Sequence, residues 1–296
     1  MNRIGPLVIV EGPSMSKVPF SRSIFIDTES RVLIDSGADP EALKEINQQF
    51  GIDLIINTHY HPDHTQHNYL FPKAEKWINP IEYETSRTIE GIAKANGIHQ
   101  EWGDAGVEMW RKNLPVEWVE NLDQISGTYD YETEYNFSGV KAIFLHTPGH
   151  TSGLVSPYFP ELGTVYVSDY DMTSFGPWYN GTDGDIEDFI KSGNRLMELD
   201  ANTFITGHQK GIFTKEEFKQ EMVKFLEVIN KRDELVNQYV RQGLTFEELT
   251  EIGIFYPKNT LTVPIFKTWE RSGIRKHLAR LGLTVSKTDG ALISAK

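Results

Sequence analysis

Apolar residues fall along this chain in short runs, each closed by a turn-forming or polar residue. Leu7–Val10, residues 22 to 27 and residues 31 to 35 have strand length, and Thr28-Glu29-Ser30 between the last two reads as a hairpin turn. Asp35-Ser36-Gly37-Ala38-Asp39-Pro40 then opens a helix with Leu43, Ile46 and Phe50 on one face, ended by Gly51. Leu54-Ile55-Ile56 follows as a buried strand, and residues 81 to 113 hold two helical stretches joined near Gly97-Ile98-His99. A second strand series contains Tyr129, Tyr131 and Tyr135 alternating with acidic residues, then Val140–Leu145, Gly163–Asp169 and Phe204–Thr206. Beyond residue 214 the period changes. Residues 215 to 241 predict a long amphipathic helix with Phe218, Met222, Phe225, Ile229 and Val236 on one face. A short helix opened by the capping-box string Thr245-Phe246-Glu247-Glu248 comes next, then a helix from about Val263 to Leu281. The tail reads as a hairpin, with Leu283-Thr284-Val285 and Ala291-Leu292-Ile293 flanking Lys287-Thr288-Asp289-Gly290. The expected division is a domain over 1–214 and a helical region over 215–296.

Composition narrows the class. The 296 residues are 39% hydrophobic and 24% charged, ordinary values for a globular protein able to bury a large core. A net charge of -13 disfavours nucleic acid and anionic membrane as partners, because both demand a basic face. There is no cysteine, which excludes a disulfide framework and a thiolate nucleophile. The apolar N-terminal segment is short, interrupted by Gly5-Pro6 and without a small-residue cleavage site, so it reads as a strand. No run approaches membrane-spanning length, and a cytoplasmic enzyme is the expectation.

The chemistry concentrates at the end of the strand Leu54-Ile55-Ile56, in Thr58-His59-Tyr60-His61-Pro62-Asp63-His64. Residues two apart in extended chain point the same way, so His59 and His61 project together. Asp63 and His64 follow where the chain turns and face a second point in space. One loop thus serves two neighbouring metal positions. Imidazoles with a carboxylate, and no thiolate, suit zinc, iron or manganese.

His59-x-His61-x-Asp63-His64 resembles the signature of the metallo-β-lactamase-fold hydrolases. Four more segments, within residues 5 to 215, match that family in order. They are Val32-Leu33-Ile34-Asp35-Ser36-Gly37, His146-Thr147-Pro148-Gly149-His150, Gly163–Asp169, and Phe204-Ile205-Thr206-Gly207-His208. The family's small-residue pair after the first motif is here Thr65-Gln66-His67-Asn68, a departure that brings His67 near the site, as a substrate contact or on the surface of the next helix. The resemblance implies an α/β fold, a four-layer αββα sandwich, with the C-terminal region a small winged-helix-like appendage. Arg271, Arg275, Lys276 and Arg280 cluster there, but the overall acidity favours packing against the site or a homodimer contact over DNA.

The resemblance also implies roles. His59, His61 and His150 bind one metal, Asp63, His64 and His208 a second, and Asp169 bridges them, with Asp171 its nearby competitor. Asp35 braces the metal loop. The cofactors are two divalent ions, zinc first, with iron or manganese as alternatives. A metal-bridging hydroxide attacks the substrate, with Asp63 as proton acceptor. A bridging aspartate, and histidine rather than cysteine among the ligands, point to the glyoxalase II-like and lactonase-like branches. The expected substrate is a small molecule, an ester, thioester or lactone; a phosphodiesterase and a mononuclear-iron dioxygenase are the alternatives. Phe175, Trp178 and Tyr179 follow the bridging residue and are candidates for an apolar pocket wall, with Tyr179 donating to an oxyanion.

Overall fold

The computed structural model describes residues 2–286 and 291–294, so the expected turn Lys287-Thr288-Asp289-Gly290 lies outside the described residues. One sheet runs β1 (Asn2–Ile4), β2 (Leu7–Val10), β3 (Ser23–Ile26), β4 (Val32–Ile34), β5 (Leu54–Ile56), β6 (Glu75–Ile78) and β7 (Gly127–Thr128), neighbours in that order. Its first three pairings are antiparallel and its last three parallel. The other sheet comprises β8 (Glu134–Phe137), β9 (Val140–His146), β10 (Val155–Phe159), β11 (Thr164–Ser168), β12 (Thr203–Thr206) and β13 (Ile212–Thr214), also adjacent in sequence order. All its pairings are antiparallel except β11 with β12.

Period-two alternation dictates how the sheets stack. Leu7 and Ile9 of β2 face Phe144, Val155, Tyr166 and Ile205 of the opposite sheet in one buried cluster. Their neighbours Val8 and Val10 turn outward to meet Leu43 and Ile46 of the helix Pro40–Phe50. That helix starts where Asp39 accepts hydrogen bonds from the Glu41 and Ala42 amides, and it stops at Gly51, whose φ of 72° favours glycine. On the far side Val165, Val167 and Phe204 pack against the helices Ile186–Glu198 and Lys215–Arg241. The Phe204 and Phe218 rings stack there at 4.0 Å. The order is helix, sheet, sheet, helix, the expected four-layer sandwich.

The helical C-terminal part is present as Lys215–Arg241, Phe246–Thr250 and Pro264–Arg280, followed by β14 (Leu283–Val285) paired antiparallel with β15 (Leu292–Ser294). Ile274 and Leu278 join the same buried cluster as Val165 and Phe204, so the apolar core continues across residue 214. The four clustered basic residues expected in the last long helix are engaged within the chain. Arg271 pairs with Glu101 and Glu247, Arg275 with Glu101, and Arg280 with Asp233 and Glu187. Lys276 Nζ donates to the carbonyls of Tyr179, Gly181 and Gly184. The two helical stretches expected after residue 81 meet at Gly97 as Ile89–Ala95 and Ile98–Arg111; a short helix Tyr83–Ser86 precedes them, and the last is broken at Gly103, whose φ of 60° and ψ of -162° leave the helical region. Among the described residues no helix is long and apolar enough to cross a membrane.

Arg232, buried in the long helix, holds the segment after β11 to the C-terminal layer. It donates to the carbonyls of Pro177 and Phe175 and to the Tyr179 hydroxyl, and its guanidinium lies 4.4 Å from the Phe255 ring centre. Removing it strands two buried carbonyls and a cation–π contact. Arg232→Ala is therefore expected to lower unfolding stability by about 3 kcal/mol, measured by urea denaturation; a loss below about 0.5 kcal/mol counts against this role.

Candidate metal centre

The strands that carry the motifs end at one edge of the sandwich. β4 and β5 run parallel in one sheet and β11 and β12 run parallel in the other, so Asp35, the His59–His64 loop, Asp169 and His208 emerge on the same side. Several close approaches there require glycine, among them Gly149 and Gly207. A Cβ on Gly149, whose φ is +128°, would lie 2.3 Å from the Phe189 backbone, and one on Gly207 would lie 2.9 Å from the Ser168 carbonyl. The β11–β12 register shifts between Tyr166 and Ser168, and Ser168 takes a φ of 49°, which re-aims the residue after it. That residue is Asp169.

Two groups of metal-capable atoms form, each with its donors within 4.8 Å of one another: His59, His61, His150 and Asp169, and beside them Asp63, His64 and His208. Asp169 stands between them. Its Oδ2 lies 3.0 Å from His150 Nε2, and its Oδ1 lies 2.8 Å from His64 Nε2 and 3.6 Å from His208 Nε2. His61 Nδ1 is 2.8 Å from His150 Nε2, while His208 Nε2 is 3.4 Å from Asp63 Oδ2.

The outer nitrogens of four of these rings are tied down, which fixes the inner ones toward the centre. His64 Nδ1 donates to Asp35 Oδ2 at 2.7 Å, and His150 Nδ1 donates to the Trp178 carbonyl at 2.9 Å. His208 Nδ1 donates to the carbonyls of Ser16 and Phe20 at 2.8 and 2.9 Å. Thr58 Oγ1 donates to Asp35 and lies 3.1 Å from His59 Nδ1, so it accepts that proton. Asp35 accepts the Thr58 amide as well, the bracing part expected of it.

Electrostatics fits cation binding. Burial drives His59, His61 and His150 below the usual histidine range, leaving neutral imidazoles with lone pairs to give. Burial also works against a charge on His64 and His208, but Asp169 outweighs it, helped by Asp35 at His64 and Asp63 at His208. His64 is held well above the usual range and His208 at about 9. Asp169 resists the upward push of burial because His150, His64 and His208 surround it, and it stays well below the usual carboxylate range. His59 Nε2 and His61 Nε2 are buried without a hydrogen-bond partner. At His59, whose Nδ1 is held by Thr58, a buried Nε2 with no protein group to satisfy it is what a divalent cation requires.

All seven expected ligands meet here. Asp171 lies outside both groups; its carboxylate accepts the Thr173 amide, and burial pushes it up to about 7. The expected pocket residues separate. The half-buried Trp178 ring stands against the first group, 5.2 Å from His61 and 5.1 Å from His150. Tyr179 is not at the centre: it is fully buried, its hydroxyl bonded to His277 and Arg232, so it is not placed to donate to an oxyanion. Phe175 packs on Tyr256 and under Arg232. His67 is buried rather than on a helix surface, with its ring 6.2 Å from Phe20, and it belongs to neither group. The bracing carbonyls of Ser16, Phe20 and Trp178 escaped sequence reading because main-chain acceptors carry no residue signature.

Comparison with known proteins agrees with this geometry. The model of the metallo-beta-lactamase superfamily matches residues 17–208. An N-acyl homoserine lactonase, AttM, from Azorhizobium caulinodans is 23% identical over 164 residues, covering 53% of this chain and 58% of that protein. Among solved structures, a metallo-beta-lactamase family protein from Thermus thermophilus superposes with a TM-score of 0.65 at 19% identity, covering 97% of each chain. A beta-lactamase domain protein from Burkholderia ambifaria superposes with a TM-score of 0.66 at 13% identity, covering 98% of this chain and 91% of that one. These likenesses at low identity speak to the fold, and the superfamily match takes in the loop and strand ends that gather all seven ligands. The chain belongs to the metallo-beta-lactamase superfamily.

Proposed function

We propose that this protein is a binuclear metal-dependent hydrolase of a small lactone, ester or thioester, with zinc as its first metal. The observation that carries the reading is Asp169, with one carboxylate oxygen toward each of two separate donor groups. The first group offers three imidazoles, and the second offers two imidazoles with Asp63. Bound there, two divalent ions supply Lewis acidity and a water acidified toward neutrality. The lactonase likeness, distant as it is, puts lactones first among the substrates.

The chain's own residues define the remaining work. Asp35 and the Trp178, Ser16 and Phe20 carbonyls hold three imidazoles with Nε2 inward. The Trp178 ring forms an apolar wall beside the first group, where a substrate's acyl part lies. Water oxygen adds to the acyl carbon and its proton passes to Asp63, the most exposed of the carboxylates here at 13%. The acyl C–O (or C–S) bond then breaks, and Asp63 returns the proton to the leaving oxygen or sulfur. A phosphodiester reading would favour basic side chains at the site; of the nearby cations, Lys210 lies 3.9 Å from Glu221 and Arg22 is bonded to Glu11.

Elemental analysis of the purified protein is expected to give about two zinc (or manganese) ions per chain, the occupancy of a two-metal site. About one iron per chain, with oxygen uptake, overturns the hydrolase reading. Asp169→Ala is expected to lose both ions and all turnover; normal metal content and activity in that variant would move the bridge to Asp171. On a series of lactones differing in acyl length, Trp178→Ala is expected to raise KM about tenfold for the longer chains, the size of one lost apolar contact surface, with little change in kcat. An equal effect at every length removes Trp178 from the acyl site.

A further inference from the structure

Glu82 lies in a stretch, Asn79-Pro80-Ile81-Glu82, that belongs to no motif and to neither donor group. It is almost completely buried, at 1% exposure, and its two oxygens accept from both main-chain and side-chain donors. The Tyr60 amide and Asn79 Nδ2 donate to Oε2 at 2.9 and 3.0 Å. The Gly153 amide donates to Oε1 at 3.0 Å, and the Thr151 hydroxyl donates to the same oxygen. No cation answers this carboxylate among those partners; main-chain and side-chain dipoles do. A buried carboxylate so surrounded holds its neighbours in place, because losing any one donor leaves a lone pair unsatisfied.

The identity of those neighbours gives the arrangement its meaning. Tyr60 is the residue between His59 and His61, and Thr151 and Gly153 closely follow His150. One oxygen therefore grips the peptide between two donors, and the other grips the turn that presents the third. The donors of the second group are held by other atoms, Asp35 at His64 and the Ser16 and Phe20 carbonyls at His208.

The structure assigns to Glu82 the part of a positioning residue for the His59–His61–His150 metal subsite, joining the two loops that build it and leaving the second subsite to separate supports. The inference rests on reading these groups as metal subsites and is independent of the substrate. Partners of this kind around a metal site typically contribute about 10–100-fold to metal affinity.

The test isolates each subsite and titrates it with cobalt(II), followed by its visible spectrum. His208→Ala removes a donor of the second group, and His150→Ala removes one of the first. Glu82→Gln keeps the shape of the side chain but turns an amide donor toward groups that already donate. In the His208→Ala background, Glu82→Gln is expected to weaken cobalt binding about 10–100-fold and to alter the d–d spectrum. In the His150→Ala background it is expected to leave affinity within about twofold, as for residues without shared partners. Equal losses in both backgrounds, or none in the first, overturn the assignment while leaving the hydrolase reading intact; failure of the wild-type protein to bind cobalt overturns both. Thr151→Val, which removes one donor at near-constant volume, decides the matter if Glu82→Gln does not fold: a smaller loss confined to the first subsite supports the assignment, and any other pattern sinks it.

Discussion

Asp169 is a carboxylate placed at the end of a buried strand, inside a ring of imidazoles, where water cannot stabilise its charge. Burial of this kind is costly unless positive charge or strong donors compensate. In this molecule His64, His208 and His150 surround the carboxylate, which favours the charged forms of the first two, and its two oxygens face the two groups of metal-capable donors. Every other element at this edge of the sandwich positions the groups that face that carboxylate.

The cost of holding them is visible in the backbone. Asp35, Ser168 and Gln209 adopt φ values of 56°, 49° and 40°, in the left-handed region, and each lies beside a donor or braces one. Such conformations cost about 1–3 kcal/mol each and persist where surrounding bonds over-determine them. Here those bonds include the Asp35 contacts to Thr58, His64 and Tyr166, and the Gly207 amide on the Ser168 carbonyl. The sandwich core, built from alternating Leu, Ile and Val on the first sheet and largely from Phe, Tyr and Val on the second, supplies the stability that these strained junctions draw on.

Much of this was legible in the sequence because the chemistry sits where periodicity breaks. Strands of three to seven residues that stop at histidine or aspartate announce both the sheet and the edge where its ligands gather. What escaped depends on facing and on distance. Trp178 and Tyr179 are consecutive, and consecutive residues of an irregular loop need not share a direction; one reaches the donor group and the other enters the C-terminal layer. The sequence showed Arg271, Arg275 and Arg280 only as a cluster, because their partners Glu101, Glu187, Asp233 and Glu247 lie 24 to 174 residues away on other helices. Glu82 carries no pattern at all, since two of its donors are main-chain amides and the others come from turns.

The donors run from His59 to His208 and come from both sheets, with bracing carbonyls as early as Ser16. Among the described residues, no short segment assembles either donor group by itself. Loop-closure entropy must be spent across most of the sandwich before the donors meet, so a cation gains its full set of contacts only after the two sheets have packed. Any cation these donors hold is therefore held by the assembled sandwich and not by a local loop, so its retention reports on whether the two sheets have closed on one another.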